Sequence, residues 1–135
     1  MRYPPEISVF FVLAGDDFDT DACNLAVGVT ATELWRQKRP ELRDKPYLKN
    51  MNWAYGVKHV TSFTTNDVVE SVVSKVWPQR ADILEFAELN QLTTSLCCNV
   101  TIHEQRPVYE LLPETMRQLA DLNAEFLMDV MDYSE

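Results

Sequence analysis

A chain of 135 residues is expected to remove about two-thirds of its unfolded surface from water on folding, enough for one domain with a real core. The apolar fraction of 46% and charged fraction of 24% belong to a globular protein, and no repeat or low-complexity tract marks a second domain. A net charge of −9 argues against nucleic acid, whose phosphates need a surplus of Lys and Arg, and points to basic partners.

Ile7 to Ala14 is an apolar run with Arg2 upstream, superficially like a signal peptide. Pro4, Pro5 and Glu6 interrupt that layout and the run is rich in β-branched and aromatic residues, so Glu6 to Ala14 reads as the first strand. Its near-continuous apolarity suits a central strand covered on one face and partly protected on the other. No stretch approaches the roughly 20 apolar residues that cross a bilayer, so no membrane contact is expected. Cys23, Cys97 and Cys98 are odd in number, and adjacent strand residues point to opposite faces. Three reduced thiols in a cytoplasmic protein are therefore expected.

Gly15 ends the first strand and Asp16-Asp17-Phe18-Asp19 turns the chain. Asp19 or Thr20 caps a helix over Asp21 to Val27, which Gly28 stops in a left-handed conformation. Thr30 to Arg36 alternates weakly as a second strand, a charged loop runs through Asn50, and Asn52 to Val60 carries Trp53, Tyr55 and Val57 on one face of a third. Thr65 or Asn66 caps the next helix, where Val68, Val69, Val72, Val73 and Val76 form an apolar stripe whose packing must outweigh β-branched propensity. Pro78 kinks it after Trp77. Its continuation, Gln79 to Asn90, places Ile83, Phe86, Ala87 and Leu89 or Asn90 on one side.

Leu92 to His103 is the clearest strand, with Leu92, Thr94, Leu96, Cys98, Val100 and Ile102 on a core face. Thr93, Ser95, Cys97, Asn99, Thr101 and His103 line a face open to solvent or a partner. After a turn at Glu104 to Pro107 and an extended Val108 to Leu111, Pro113 opens a helix with apolar positions Met116, Leu119, Ala120 and Leu122. Asn123 is its left-handed cap, and Phe126, Met128 and Val130 alternate in a closing strand. The order β-α-β-β-α-β-α-β predicts an α+β two-layer sandwich. Its sheet is mostly antiparallel with helices on one face, ferredoxin-like with an added C-terminal helix and strand.

Asp17, Asp19 and Asp21 have the spacing of a calcium-loop start, but Ala22 and Gly28 stand where the turn glycine and closing glutamate belong. The loop reads instead as a solvated helix cap. Segment 36–49 holds Arg36, Lys38, Arg39, Arg43, Lys45 and Lys49 against Glu41 and Asp44, a net +4 that leaves −13 on the rest of the chain. Such a segment is a solvated loop or a dock for phosphate, RNA or an acidic surface, with Trp35, Tyr47 and Trp53 available for stacking, although Trp35, Trp53 and Trp77 read first as core or core-edge residues. His103 lies about 20 Å from Cys97 at strand rise, too far to share an ion or form a nucleophile pair; His59 with Cys97 across neighbouring strands is the pairing left open. No motif assigns a catalytic residue, metal site or cofactor.

The apolar strand running into Gly15-Asp16-Asp17-Phe18, the Thr32-x-x-Trp35-Arg36 element and Trp53 in the next strand together resemble a bacterial family, domain of unknown function 4279. The likeness covers nearly the whole chain, departing at Gln37-Lys38-Arg39, where Lys-Gly is usual, and at Asn123, where Gly is usual. It implies bacterial or phage origin and an α+β fold, and carries over no catalytic residue.

The function expected from the residues is a non-enzymatic interaction module, an immunity-type or phage inhibitor protein occluding a basic partner, with a second copy of the chain as another possible partner. The alternative is a small enzyme or ligand-binding domain that holds a phosphorylated or nucleotide substrate between Asp16–Asp19 and Arg36–Lys49. The candidate binding residues are Asp16, Asp17, Asp19, Trp35, Arg36, Lys38, Arg39, Arg43, Trp53, Asn99 and His103.

Overall fold

The computed structural model describes residues 3–36 and 51–134. Among them the chain runs through β1 (Glu6–Gly15), α1 (Thr20–Val27), β2 (Glu33–Arg36), β3 (Met51–Thr61) and α2 (Thr65–Val76). A 3₁₀ turn (Trp77–Gln79) leads into α3 (Arg80–Leu89), β4 (Thr93–Ile102), α4 (Pro113–Asp121) and β5 (Glu125–Asp132). The strands form one sheet in the order β2-β3-β1-β4-β5, antiparallel throughout except that β5 runs parallel to β4. A parallel neighbour needs a crossover, and α4 supplies it. The fold is thus mixed α+β with a mostly antiparallel five-stranded sheet.

Strand register explains which residues share a face. Ile7, Val9, Phe11 and Leu13 of β1 stand beside Val100, Cys98, Leu96 and Thr94 of β4, and Phe11 and Leu13 beside Tyr55 and Trp53 of β3. This face is buried under the helices, with the five α2 valines and Cys23, Val27, Ile83, Leu119 and Leu122 completing the core. The opposite face carries Thr93, Ser95, Cys97, Asn99 and Thr101. It is not uniformly open: Val12, Ala14 and Ala54 are buried there, with Phe10 and Cys97 packed against them.

Local chemistry shifts several expected boundaries. Asp19 caps α1, its carboxylate accepting from the Asp21 and Ala22 N–H groups, and Gly28 ends the helix at φ 83°. The second strand begins at Glu33 rather than Thr30, because the Ala31 N–H donates to Asn24 Oδ1 at 3.0 Å and ties that stretch to α1. The cap of α2 is Thr64, not Thr65 or Asn66. Those two are buried instead. The Thr65 hydroxyl donates to the Glu110 carbonyl at 2.7 Å and accepts its N–H at 2.8 Å, and Asn66 Oδ1 accepts the Leu112 N–H at 2.9 Å. Together they clamp the extended segment leading to α4. Pro78 yields the 3₁₀ turn, while Leu89, Met116 and Ala120, expected in the core, are exposed. The buried stripe of α4 is Thr115, Leu119 and Leu122, on one face by four-and-three spacing, which rotates Met116 and Ala120 toward solvent. Asn123 adopts φ 53° after the helix, doing with an amide side chain what glycine commonly does.

Candidate functional site

A bulge at one end of the sheet builds the first cluster. Between Ile7↔Val60 and Val9↔Val57 the β1–β3 register shifts, so β3 carries one residue more than β1 there. His59 takes up the excess at φ 54°, and its backbone N–H donates to Ser8 Oγ at 2.9 Å. The bulge aims the His59 ring at Glu6, with Nδ1 3.1 Å from Oε2. On the other side His103, just past β4, brings Nε2 to 3.6 Å from Glu6 Oε1. One carboxylate is thus bracketed by two imidazoles. His59 does not pair with Cys97, which lies opposite Phe10, further along β1. Among the described residues no group of three or more His, Cys, Asp or Glu side chains is placed to hold a metal ion.

Around this cluster lie two adjoining clefts. One of about 460 Å³ is lined by Tyr3, His103, Glu104, Tyr133 and Ser134, and one of about 470 Å³ by Tyr3, Pro4, Glu6, Thr61 and His103. Tyr3 and His103 are common to both. The Tyr133 ring stacks on His103 with centroids 6.3 Å apart and planes 19° apart. Carboxylates beside aromatic faces suit a cationic group, which gains from charge and from the ring quadrupole.

Tyr133 follows directly on β5, the second feature. Among the described residues nothing pairs with the outer edge of this eight-residue strand. Leu127 and Met131 on one face are 45% and 51% exposed, and Met128 and Val130 on the other 41% and 40%. An edge strand apolar on both faces is a surface natural proteins ordinarily blunt or cover. The other edge, β2, has only four residues, with Leu34 and Trp35 exposed.

The residues singled out by sequence do not converge. Asp16, Asp17 and Asp19 lie beyond the far end of β1, about 30 Å from Glu6 at strand rise. There Asp17 forms an ion pair with Arg36, which brings the acidic turn and the start of the basic segment together, and Trp35 is exposed beside it. Lys38, Arg39 and Arg43 lie outside the described residues. Trp53 is fully buried and its indole N–H donates to Asn24 Oδ1 at 2.8 Å, so it serves the core and offers no stacking face. Asn99 is exposed midway along β4 between Ser8 and Asp129, and His103 alone of the set reaches the clefts. Sequence reasoning missed Glu6, Tyr3, Tyr133 and the β5 edge. Glu6 and His59 are 53 residues apart and meet only through the bulge.

Burial disfavours the thiolate form of all three cysteines. Burial pushes Cys23 up to about 12 and Cys98 up to about 11, and raises Cys97, with Glu125 adding to the effect. Asp132, at the end of β5, is held below the ordinary carboxylate range by hydrogen bonds from Ser134, with Arg106 contributing.

Among the described residues the chain forms an α+β fold with a helix-covered sheet, a bare apolar edge at β5 and an acidic, aromatic cleft at that edge's end. The chain belongs to the family described as Domain of unknown function (DUF4279), whose model matches residues 5–133. No curated protein and no solved structure matches it. Among the described residues no helix is long and apolar enough to cross a membrane.

Proposed function

We propose that the protein is a non-enzymatic interaction module of the bacterial cytoplasm that binds a basic protein, in its finer form an immunity-type or phage inhibitor occluding a cationic surface. The observation that carries this reading is the exposed apolar strand β5 set in an acidic molecule. Apolar patches on soluble domains mark interaction sites, and the −13 outside segment 36–49 selects a partner of opposite sign. Several cations are already committed: Arg36 to Asp17, Lys58 to Glu33 and Arg106 to Asp132. The all-antiparallel order β2-β3-β1-β4 supports a ferredoxin-like core extended by α4 and β5.

A second reading, a small enzyme or ligand-binding domain for phosphorylated or nucleotide substrates, is favoured by the contact between Arg36 and Asp17. The two separate in one experiment on the partner cross-linked in the native host. Its association should slow severalfold between about 0.05 and 0.3 M salt, because exposed charges are screened within about a Debye length. The triple reversal Lys38→Glu, Arg39→Glu, Arg43→Glu should spare or strengthen that binding. Loss of binding in the triple variant, with the fold intact, would overturn the proposal in favour of the phosphate or acidic-ligand reading.

A further inference from the structure

The unpaired edge of β5 has a defined hydrogen-bonding register. The Tyr133 N–H donates to the Ile102 carbonyl at 2.8 Å, so residue 133 faces β4. Backbone direction alternates along a strand, which turns the N–H and C=O groups of Met128, Val130 and Asp132 outward and those of Leu127, Asp129 and Met131 inward. The outward groups form a ladder half awaiting a strand. The flanking side chains offer apolar contact on both faces, with Glu125 and Asp129 among them on the non-helical face.

We infer that β5 receives an extended basic segment of the partner as a sixth strand, and that an Arg or Lys of that segment enters the Tyr3/His103/Glu104/Tyr133 cleft at the strand's end. This inference rests on the reading of the protein as a binder of basic proteins and adds the mode and the anchor. Strand addition supplies affinity through main-chain bonds and specificity through alternate side-chain sites. Three features select a cationic segment: Glu125 and Asp129 along the edge, Glu104 and Glu6 at the clefts, and two tyrosine rings between. A second copy of the chain is the poorer occupant, because it would bring −9 against −9 and set the same carboxylates across the interface.

The test uses a fluorescent, end-capped peptide of alternating Arg and Val, about nine residues long to match a typical strand. Its controls are the same peptide with Glu for Arg, and a version N-methylated at every backbone nitrogen so that neither edge keeps its donors. The expected result is saturable binding of the Arg peptide to the full chain, weakened about tenfold or more by N-methylation and absent for the Glu peptide. Val130→Pro removes an outward N–H and no β4 bond, so it should keep the wild-type circular dichroism and lose binding to the same degree. Glu104→Gln with Tyr133→Ala should weaken binding of the Arg peptide and leave that of an otherwise identical peptide with Ala at its terminal Arg positions unchanged. Equal affinity for plain and N-methylated peptides would overturn strand addition while leaving a basic partner in place. No binding of the Arg peptide at low salt would count against that underlying reading as well. A wild-type dimer abolished by Val130→Pro would overturn the inference by giving the edge to a second copy.

Discussion

Leu96→Ala compared with Thr93→Ala tests the assignment of sheet faces on which both surfaces depend. Leu96 is fully buried, with Phe11 beside it on β1 and Phe126 on β5. Truncating such a leucine costs about 2–5 kcal/mol, the spread reflecting how far the cavity can collapse. Flanking strands fix the backbone on both sides here, so collapse is limited and about 3 kcal/mol or more is expected. With an unfolding entropy of about 2.1 cal/mol/K per residue, this chain has about 0.28 kcal/mol/K in total, and the midpoint should fall by about 10 °C. Thr93 is exposed and loses one hydroxyl bond, to the Ala14 carbonyl at 3.3 Å. That change is worth about 1 kcal/mol at most, or about 3–4 °C. Thermal and urea unfolding followed by circular dichroism measure both. Equal midpoint losses, or a larger one for Thr93→Ala, would refute the face assignment.

Gly56→Ala should destabilise by the upper end of about 1–3 kcal/mol or beyond, because an added Cβ would lie 1.9 Å from the Val9 carbonyl oxygen at the bulge; wild-type urea unfolding would show the backbones are not so close. Asn24→Ala orphans the buried Trp53 indole N–H and should cost about 1–3 kcal/mol, with Asn24→Asp, which keeps the acceptor, costing clearly less; equal losses would deny the hydrogen bond its role. Cys23 and Cys98 have folded-state values raised above those of the unfolded chain, so the stability they confer is present below about pH 9 and drains away between there and about 11–12. Unfolding free energy should fall across that window, and less steeply in Cys23→Ala/Cys98→Ala relative to its own value at neutral pH; parallel slopes would contradict thiol burial as the cause.

The period-2 pattern of Leu92 to His103 and the valine stripe of α2 made the covered sheet legible in the sequence, because there local alternation and tertiary burial agree. Gly28, Asn123 and Pro113 marked helix ends for equally local reasons. What sequence could not reveal depends on partners distant along the chain. Thr65 and Asn66 have the chemistry of caps, yet their polar groups go to residues 110 and 112, and Thr64 does the capping. Trp53 read as a core residue or a stacking one, and its burial with the indole N–H bonded to Asn24 decides for the core. Glu6 and His59 meet through a bulge that has no signature in a single strand, and His103 joins them from the β4 side. The exposure of β5 was hidden too, since alternating Phe126, Met128 and Val130 look like a core-facing strand. Only the position of β5 at the sheet edge, beyond full helix cover, leaves Met128 and Val130 at 41% and 40% exposure.

Residue-resolved amide hydrogen exchange, with and without the Arg/Val peptide, tests the docking of a basic strand on β5 most directly. Outward N–H groups are open to solvent in the free chain, while inward ones are already bonded to β4. Binding should slow exchange at Met128 and Val130 and leave Leu34 on the opposite edge, and Asp16 to Asp19 beyond the far end of β1, unchanged. Protection appearing at β2 or at the Asp16–Asp19 turn, with Met128 and Val130 exchanging as before, would contradict it.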